Sequence, residues 1–212
     1  MASENMKSLE KFLAVSAAQH QHLCPRQVIG VRMGMLAGQI LGVDLPQTDK
    51  RLLTITETDG CFADGVSVMT GCTVGHRTLR VEDYGKTGAV FVDTQTENAI
   101  RLTPVLNVRQ RAYSYAPSNE TRHYFAQLHG YQVMPDDEMF SVEHVILNIP
   151  VQAIVSRPGV RVNCDICGEE IINEREVKHE GLTLCRACAG QAYYQSVEQN
   201  DILPCLCQEA TL

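Results

Sequence analysis

The sequence predicts an α+β fold, with a mixed sheet and helices in a core domain over residues 1–156 and a small separate module over 157–212. Three observations predict it. Helix-like and strand-like stretches are mixed over the first three-quarters of the chain without strict alternation. The stretch "SRPGVR" (156–161) then reads as a linker. Beyond it four cysteines recur as two C-x2-C pairs, in a segment of roughly fifty residues that holds too little apolar surface for a stable core of its own.

The elements follow in order. Residues 6–20 carry Leu9, Phe12, Leu13 and Ala17 near one face, the spacing of an amphipathic helix. Pro25 suits the first position of a second helix. That helix, "PRQVIGVRMGMLAGQILG", places Gly30, Gly34 and Gly38 in one stripe and Gly42 at its stop. Each glycine inside a helix costs roughly 1 kcal/mol against alanine. The stripe therefore implies close backbone approach, to another element of the chain or to a second copy of it. "RLLTITET" (51–58) alternates and is β-branched, so it predicts a strand, and "CFADGVSVMTG" (61–71) predicts a short helix. "TLRVEDYG" and "GAVFVDTQ" predict strands, with "AIRLTPV" completing a hairpin. Residues 118–130 predict a helix capped by Ser or Asn and stopped by a glycine. Residues 143–156 predict extended chain, with Pro150 marking an edge or a break. There is no internal repeat.

Composition bounds the function. Of 212 residues 44% are apolar, which excludes wholesale disorder, and the net charge is −7 from 18 basic and 25 acidic residues. An acidic chain is a poor non-specific nucleic-acid binder. The first residues lack the pattern of a signal peptide, and no window approaches a membrane span, so a cytoplasmic protein is expected. In that reducing setting nine cysteines point to metal or redox chemistry before disulfides.

Cys164, Cys167, Cys185 and Cys188 form C-x2-C, seventeen residues, C-x2-C. Each C-x2-C turn presents two thiolates on one side of a tight knuckle. Two knuckles joined by a hairpin complete the tetrahedral S4 site that Zn²⁺ prefers. The predicted hairpin is "EIINEREVKHEGLTLC", turning at Gly181. Structural zinc, or iron in a recombinant sample, would supply the folding energy this zinc-finger or zinc-ribbon module lacks. Residues 157–188 hold five basic residues (Arg157, Arg161, Arg175, Lys178, Arg186) against six acidic ones, which favours protein contact or dimer bracing over direct nucleic-acid binding. "CGEEI" with its following cysteines is similar to the TraR/DksA type of finger, which acts on RNA polymerase. Cys205 and Cys207 form a C-x-C pair in the tail, either a soft-metal or oxidisable pair or plain tail residues.

A second constellation lies near the N-terminus. His20, His22 and Cys24 alternate in "HQHLCP". In an extended chain they share a side; in a helix, steps of about 200° would spread them apart. Pro25 disfavours the helical region for Cys24 and sets it at a helix N-terminus, where a thiolate is stabilised. Cys61 opens the short helix in the same way, with Asp59 and Asp64 beside it as carboxylates able to orient a histidine. Cys72 and His76 follow that helix. These residue types suit a transition metal or a reactive thiol, although lone histidines and buried cysteines are more often structural.

"HQHLCPRQVIGVRMG", "TDGCFADGVSVMTGCTVGHRTLRVEDYGKTGAVFV" and the terminal four-cysteine finger together resemble the FmdE family, named for its association with formylmethanofuran dehydrogenase. The resemblance covers most of residues 12–155 and the finger. It implies an α+β core, an intertwined homodimer, and association with a molybdenum or tungsten oxidoreductase. It also implies that His22, Cys24, Cys61 and Cys72 occupy characteristic positions, with His20 beside them. The family's "GCTxGKGNL" stands here as "GCTVGHRTL", with His76 and Arg77 replacing lysine and glycine, and its "CPG" stands as "CPR", with Arg26 at the helix mouth. "DYGK" is kept as Asp83-Tyr84-Gly85-Lys86.

Three functions follow as expectations. The first is an FmdE-like accessory or partner-binding protein with structural zinc in the finger and a second transition metal, zinc among the candidates, in a core site drawn from His20, His22, Cys24, Cys61 and Cys72. The second is a stand-alone enzyme in which Cys24 or Cys61 serves as nucleophile or metal ligand. The third is a transcription regulator acting through the finger on RNA polymerase. No phosphate loop or dinucleotide fingerprint is present.

Overall fold

The computed structural model describes residues 2–155 and 159–196, with side chains from Lys7 onward. The chain divides into two compact units, residues 1–155 and 156–212.

The first unit opens with two helices, α1 (Ala2–His20) and α2 (Pro25–Leu41). Strand β1 (Leu52–Thr56) leads through α3 (Cys61–Thr70) into β2 (Leu79–Val81). The hairpin β3 (Ala89–Asp93) and β4 (Ala99–Pro104) follows, then α4 (Val108–Tyr115), α5 (His123–Val133), α6 (Asp136–Met139), β5 (Phe140–Val145) and α7 (Val151–Val155). The five strands form one sheet in the order β2-β1-β3-β4-β5. β1 and β2 are parallel and the remaining pairs antiparallel, so the sheet is mixed.

Alternation in the strands separates two apolar layers. Leu52, Phe91, Ile100 and Leu102 face a large core shared with α1–α5, where Val28, Val31, Met33, Phe62, Val66 and Tyr131 pack. Leu53, Val92 and Ala99 face the other way and are covered by Val151 and Ile154 of α7. Parallel neighbours need a crossover, and α3 supplies it between β1 and β2. That crossover places the first residue of α3, Cys61, just beyond the C-terminal end of β1.

The glycine stripe of α2 packs within the chain. A Cβ on Gly30 would strike the Phe62 carbonyl oxygen of α3, one on Gly34 would meet Met69, and one on Gly38 would meet Leu45. Gly65 of α3 answers from the other side, since a Cβ there would lie 2.5 Å from the Gln27 carbonyl oxygen. The two backbones thus touch at the ends of the helices that carry Cys24 and Cys61. Gly42 ends α2 in the left-handed region, as expected.

Four local expectations are corrected. Gly130 does not stop a helix. It lies inside α5, where a Cβ would strike the Ala112 carbonyl oxygen, so its small size serves the packing of α5 on α4. α5 starts at His123 rather than 118, and α4 was missed because its polar, arginine-bearing face leaves only Val108 and Ala112 buried. Residues 143–156 are extended only as far as Val145; Pro150 precedes the helix α7, which covers the second apolar layer. "TLRVEDYG" pairs only over Leu79–Val81, because the following turn folds back so that the Tyr84 and Lys86 N–H groups both reach the Glu57 carbonyl oxygen.

Among its described residues the second unit contains two small antiparallel pairs. β6 (Arg161–Asn163) pairs with β7 (Glu170–Ile172), and β8 (Val177–His179) pairs with β9 (Leu182–Leu184). The turn at Gly181 stands where the sequence placed it, between β8 and β9. β7, however, pairs back onto β6 and is not an arm of that hairpin. The buried apolar core here is Cys164, Ile171 and Leu184. Cys205 and Cys207 lie outside the described residues.

Candidate metal centres

In the second unit each cysteine pair sits on a knuckle beside a strand end. The Cys185 N–H donates to Cys164 Sγ at 3.3 Å, and the Cys188 N–H to Cys185 Sγ at 3.3 Å. Asp165 ties the two knuckles, its carboxylate accepting from the Thr183 N–H at 2.6 Å and its own N–H reaching the Thr183 carbonyl at 2.8 Å. All four sulfurs lie within 4.8 Å of one another, and Cys167 and Cys185 stand 3.9 Å apart. A tetrahedron with Zn–S bonds of about 2.3 Å has S–S edges near ~3.8 Å, so the donor set fits a zinc ion. Backbone N–H groups, of Cys167 first and then Cys185, pull the Cys164 thiol down to about 6, so it is ionised at neutral pH. The hydrogen bond to Cys185 chiefly pushes Cys188 up to about 12. The four sulfurs cannot all ionise so close together without a cation between them.

The N-terminal constellation is built at helix ends. α1 runs through His20, Gln21 turns left-handed at φ 61°, and Cys24 caps α2 in an extended conformation at φ −123°, ψ 160°. The chain from His20 to Cys24 is therefore a helix end and a tight turn, and not the extended strand that the alternation had suggested. Gly60 takes φ 70°, ψ −156°, which only glycine holds without strain, and so lets β1 turn into α3 at Cys61. The buried Cys24 and the half-buried Cys61, 37 positions apart in sequence, meet side chain to side chain. The Tyr124 hydroxyl, on α5, donates to the Leu23 carbonyl at 3.0 Å, and its phenol titrates high, first through burial and then through the neighbouring Cys24 and Cys61.

Asp64 stands one turn along α3, and its carboxylate lies 2.5 Å from His20 Nε2. His22 Nδ1 lies 2.9 Å from the His20 carbonyl oxygen and so donates to it, and in the neutral ring Nε2 then carries the lone pair. That arrangement is the one a ligating histidine uses, its other ring nitrogen held by an outer partner. Burial first, then the Cys24 thiol, pushes Cys61 up from its usual value; these effects outweigh the helix N-terminus in the metal-free protein.

The structure does not bring Cys72 to this group. It lies past the far end of α3, whose ten residues span about 15 Å. There it is 1% exposed, donating to the Leu52 carbonyl at 3.3 Å and accepting from the Thr54 hydroxyl at 3.4 Å, and burial drives its pKa up. His76 sits in the exposed turn beyond Cys72 and is likewise separate. Asp59 lies in the turn before Cys61, and Arg26 is exposed on the first turn of α2. The Asp83–Lys86 turn is a surface loop closed by the Gly85 N–H on the Asp83 carboxylate at 3.0 Å. Among the described residues, only the finger gathers three or more ligating atoms within 4.8 Å of one another. Sequence reasoning had passed over Gln27 and Tyr124, which hold the His22–Cys24 turn; a glutamine three residues into an apolar helix was the available signal for the first.

These features define a class: a mixed α+β unit with thiols and histidines at converging helix ends, joined to a four-cysteine finger. Residues 19–141 match the family model described as FmdE, molybdenum formylmethanofuran dehydrogenase operon, and the chain belongs to this family. A solved structure of a tungsten formylmethanofuran dehydrogenase FmdE-like protein from Syntrophus aciditrophicus superposes with a TM-score of 0.57 at 20% identity, over 88% of this chain and 95% of that one. A probable S-adenosyl-L-methionine-binding protein of Archaeoglobus fulgidus is 30% identical over 206 residues, which is 87% of this chain and 54% of the relative. The chain thus spans about half the length of that curated relative. Among the described residues, no helix is long and apolar enough to cross a membrane.

Proposed function

We propose that the chain is a metal-binding accessory protein of the FmdE type, carrying structural zinc in the finger and a second transition metal in the core. It works beside a molybdenum- or tungsten-dependent oxidoreductase or handles metal for it, and acts as a homodimer whose finger contacts a partner or braces the pair. The observation that supports this best is the meeting of Cys24 and Cys61 at two helix ends, with His22 two residues before Cys24 in the chain. Two thiols and an imidazole suit zinc or another soft to borderline ion. His22, exposed on the same turn, is the third ligand of this reading, while His20, already engaged by Asp64, steadies the turn. The raised Cys61 weighs against a free thiolate nucleophile in the metal-free chain, and a metal ion at the pair would have to displace its proton.

Elemental analysis tests the core site. Two metals per chain are expected in the native protein, one in Cys61→Ser, and one in a chain with Cys164 and Cys167 both changed to Ser. A single zinc per chain that Cys61→Ser leaves in place removes the core site. Affinity capture from cells tests the partner: recovery of an oxidoreductase supports the accessory role, and recovery of RNA polymerase replaces it with regulation through the finger.

A further inference from the structure

We propose that Gln27 is the positioning residue of the core site, acting on Cys24 through the backbone. The inference rests on the core metal site proposed above. The Gln27 side chain is fully buried, and a buried amide is costly unless its polar atoms are paired. Both of its polar atoms are paired. Oε1 accepts from the Cys24 N–H at 2.7 Å, and Nε2 donates to the Ser16 carbonyl at 2.9 Å and to Ser16 Oγ at 3.0 Å. Ser16 is also fully buried, on α1 one turn before His20. One amide therefore locks the end of α1 to the cap of α2, across the turn that carries His20, His22 and Cys24.

The same residue also stands at the contact with the helix that carries the second thiol. Its carbonyl oxygen is the backbone atom that Gly65 of α3 approaches, and Cys61 lies one turn earlier on that helix. Gln27 is thus the point where α1, α2 and α3 are held together directly behind the Cys24–Cys61 pair. An ordinary helix cap needs no second tie into another helix. Metal sites do need their ligands held by outer partners, and loss of such a partner typically costs 10–100-fold in affinity.

Cobalt titration into the full chain, with zinc already in the finger, reads the effect. Gln27→Met keeps the volume and removes the amide. A tenfold or greater loss of cobalt affinity is expected, with a shifted thiolate-to-cobalt charge-transfer band, unchanged helix content and an unchanged finger. Gln27→Glu, which keeps the oxygen facing the Cys24 N–H, recovers part of the loss. In the metal-free chain, alkylation of Cys24 is faster in Gln27→Met. If Gln27→Met does not fold, Ser16→Ala carries the test, with a smaller change in the same direction. Affinity and spectrum equal to the native protein overturn the positioning role and leave the site standing. No cobalt at the native core overturns the site and this inference together.

Discussion

Two cysteines that look alike in sequence do different work. Cys61 begins α3 and faces Cys24, whereas Cys72 follows the same helix and is sealed between Thr54 and the Leu52 carbonyl. The thiol of Cys72 fills space and makes two weak hydrogen bonds, so Cys72→Ala lowers stability by about 1 kcal/mol. In a domain of this size that shifts the melting temperature by about 2–4 °C. Metal content stays that of the native protein, which elemental analysis of the same sample checks; loss of a metal would return Cys72 to the site. Both cysteines stood out in the sequence, since their types and motifs were plain. Which one faced the other thiols was not, because that depends on which end of a ten-residue helix points at the turn after α1.

At the scale of elements, the contact between α2 and α3 positions the candidate site. Gly30 and Gly65 bring the two backbones together, and the ends of these helices present Cys24 and Cys61. Gly30→Ala places a methyl group against the Phe62 carbonyl and the Val66 N–H, a backbone contact that no side chain can relieve. The expected destabilisation is about 1–3 kcal/mol, with weaker metal binding at the core because the two helix ends are pushed apart. Gly75→Ala is the control: nothing lies within 4 Å of a Cβ there, and urea unfolding should place it within about 0.5 kcal/mol of the native protein. Periodicity revealed the stripe and the need for a close neighbour. It did not reveal α4, whose sequence is polar on most sides, nor α7, whose five residues are too few to show a helical period.

For the whole molecule, the two units differ in what holds them. Residues 1–155 have two apolar layers about a five-stranded sheet, while the apolar side chains buried among the finger's described residues are Cys164, Ile171 and Leu184. A core that small does not offset the entropy of ordering its chain, so a metal ion on the four cysteines would supply the balance. A strong chelator is therefore expected to unfold the finger while the helices and sheet of the first unit persist. Amide exchange checks this: protection in residues 161–184 should collapse and that of β1, β3 and β4 should remain. Retained protection in the chelated finger would mean that packing, and not metal, holds it.

By itself the sequence determined the mixed α+β class, the second helix with its stripe and stop, the β3–β4 hairpin, and the four cysteines that gather in the finger. These rest on local chemistry: periodicity, glycine at turns, and thiol spacing short enough for the chain to close on one ion. Only the tertiary structure decided that Cys24 and Cys61 meet, that Cys72 stands apart, and that Gln27 ties three helices behind the pair. The physical reason is that helix direction, crossover placement and the pairing of a buried amide are set by contacts between segments far apart in the chain, and no local pattern encodes them.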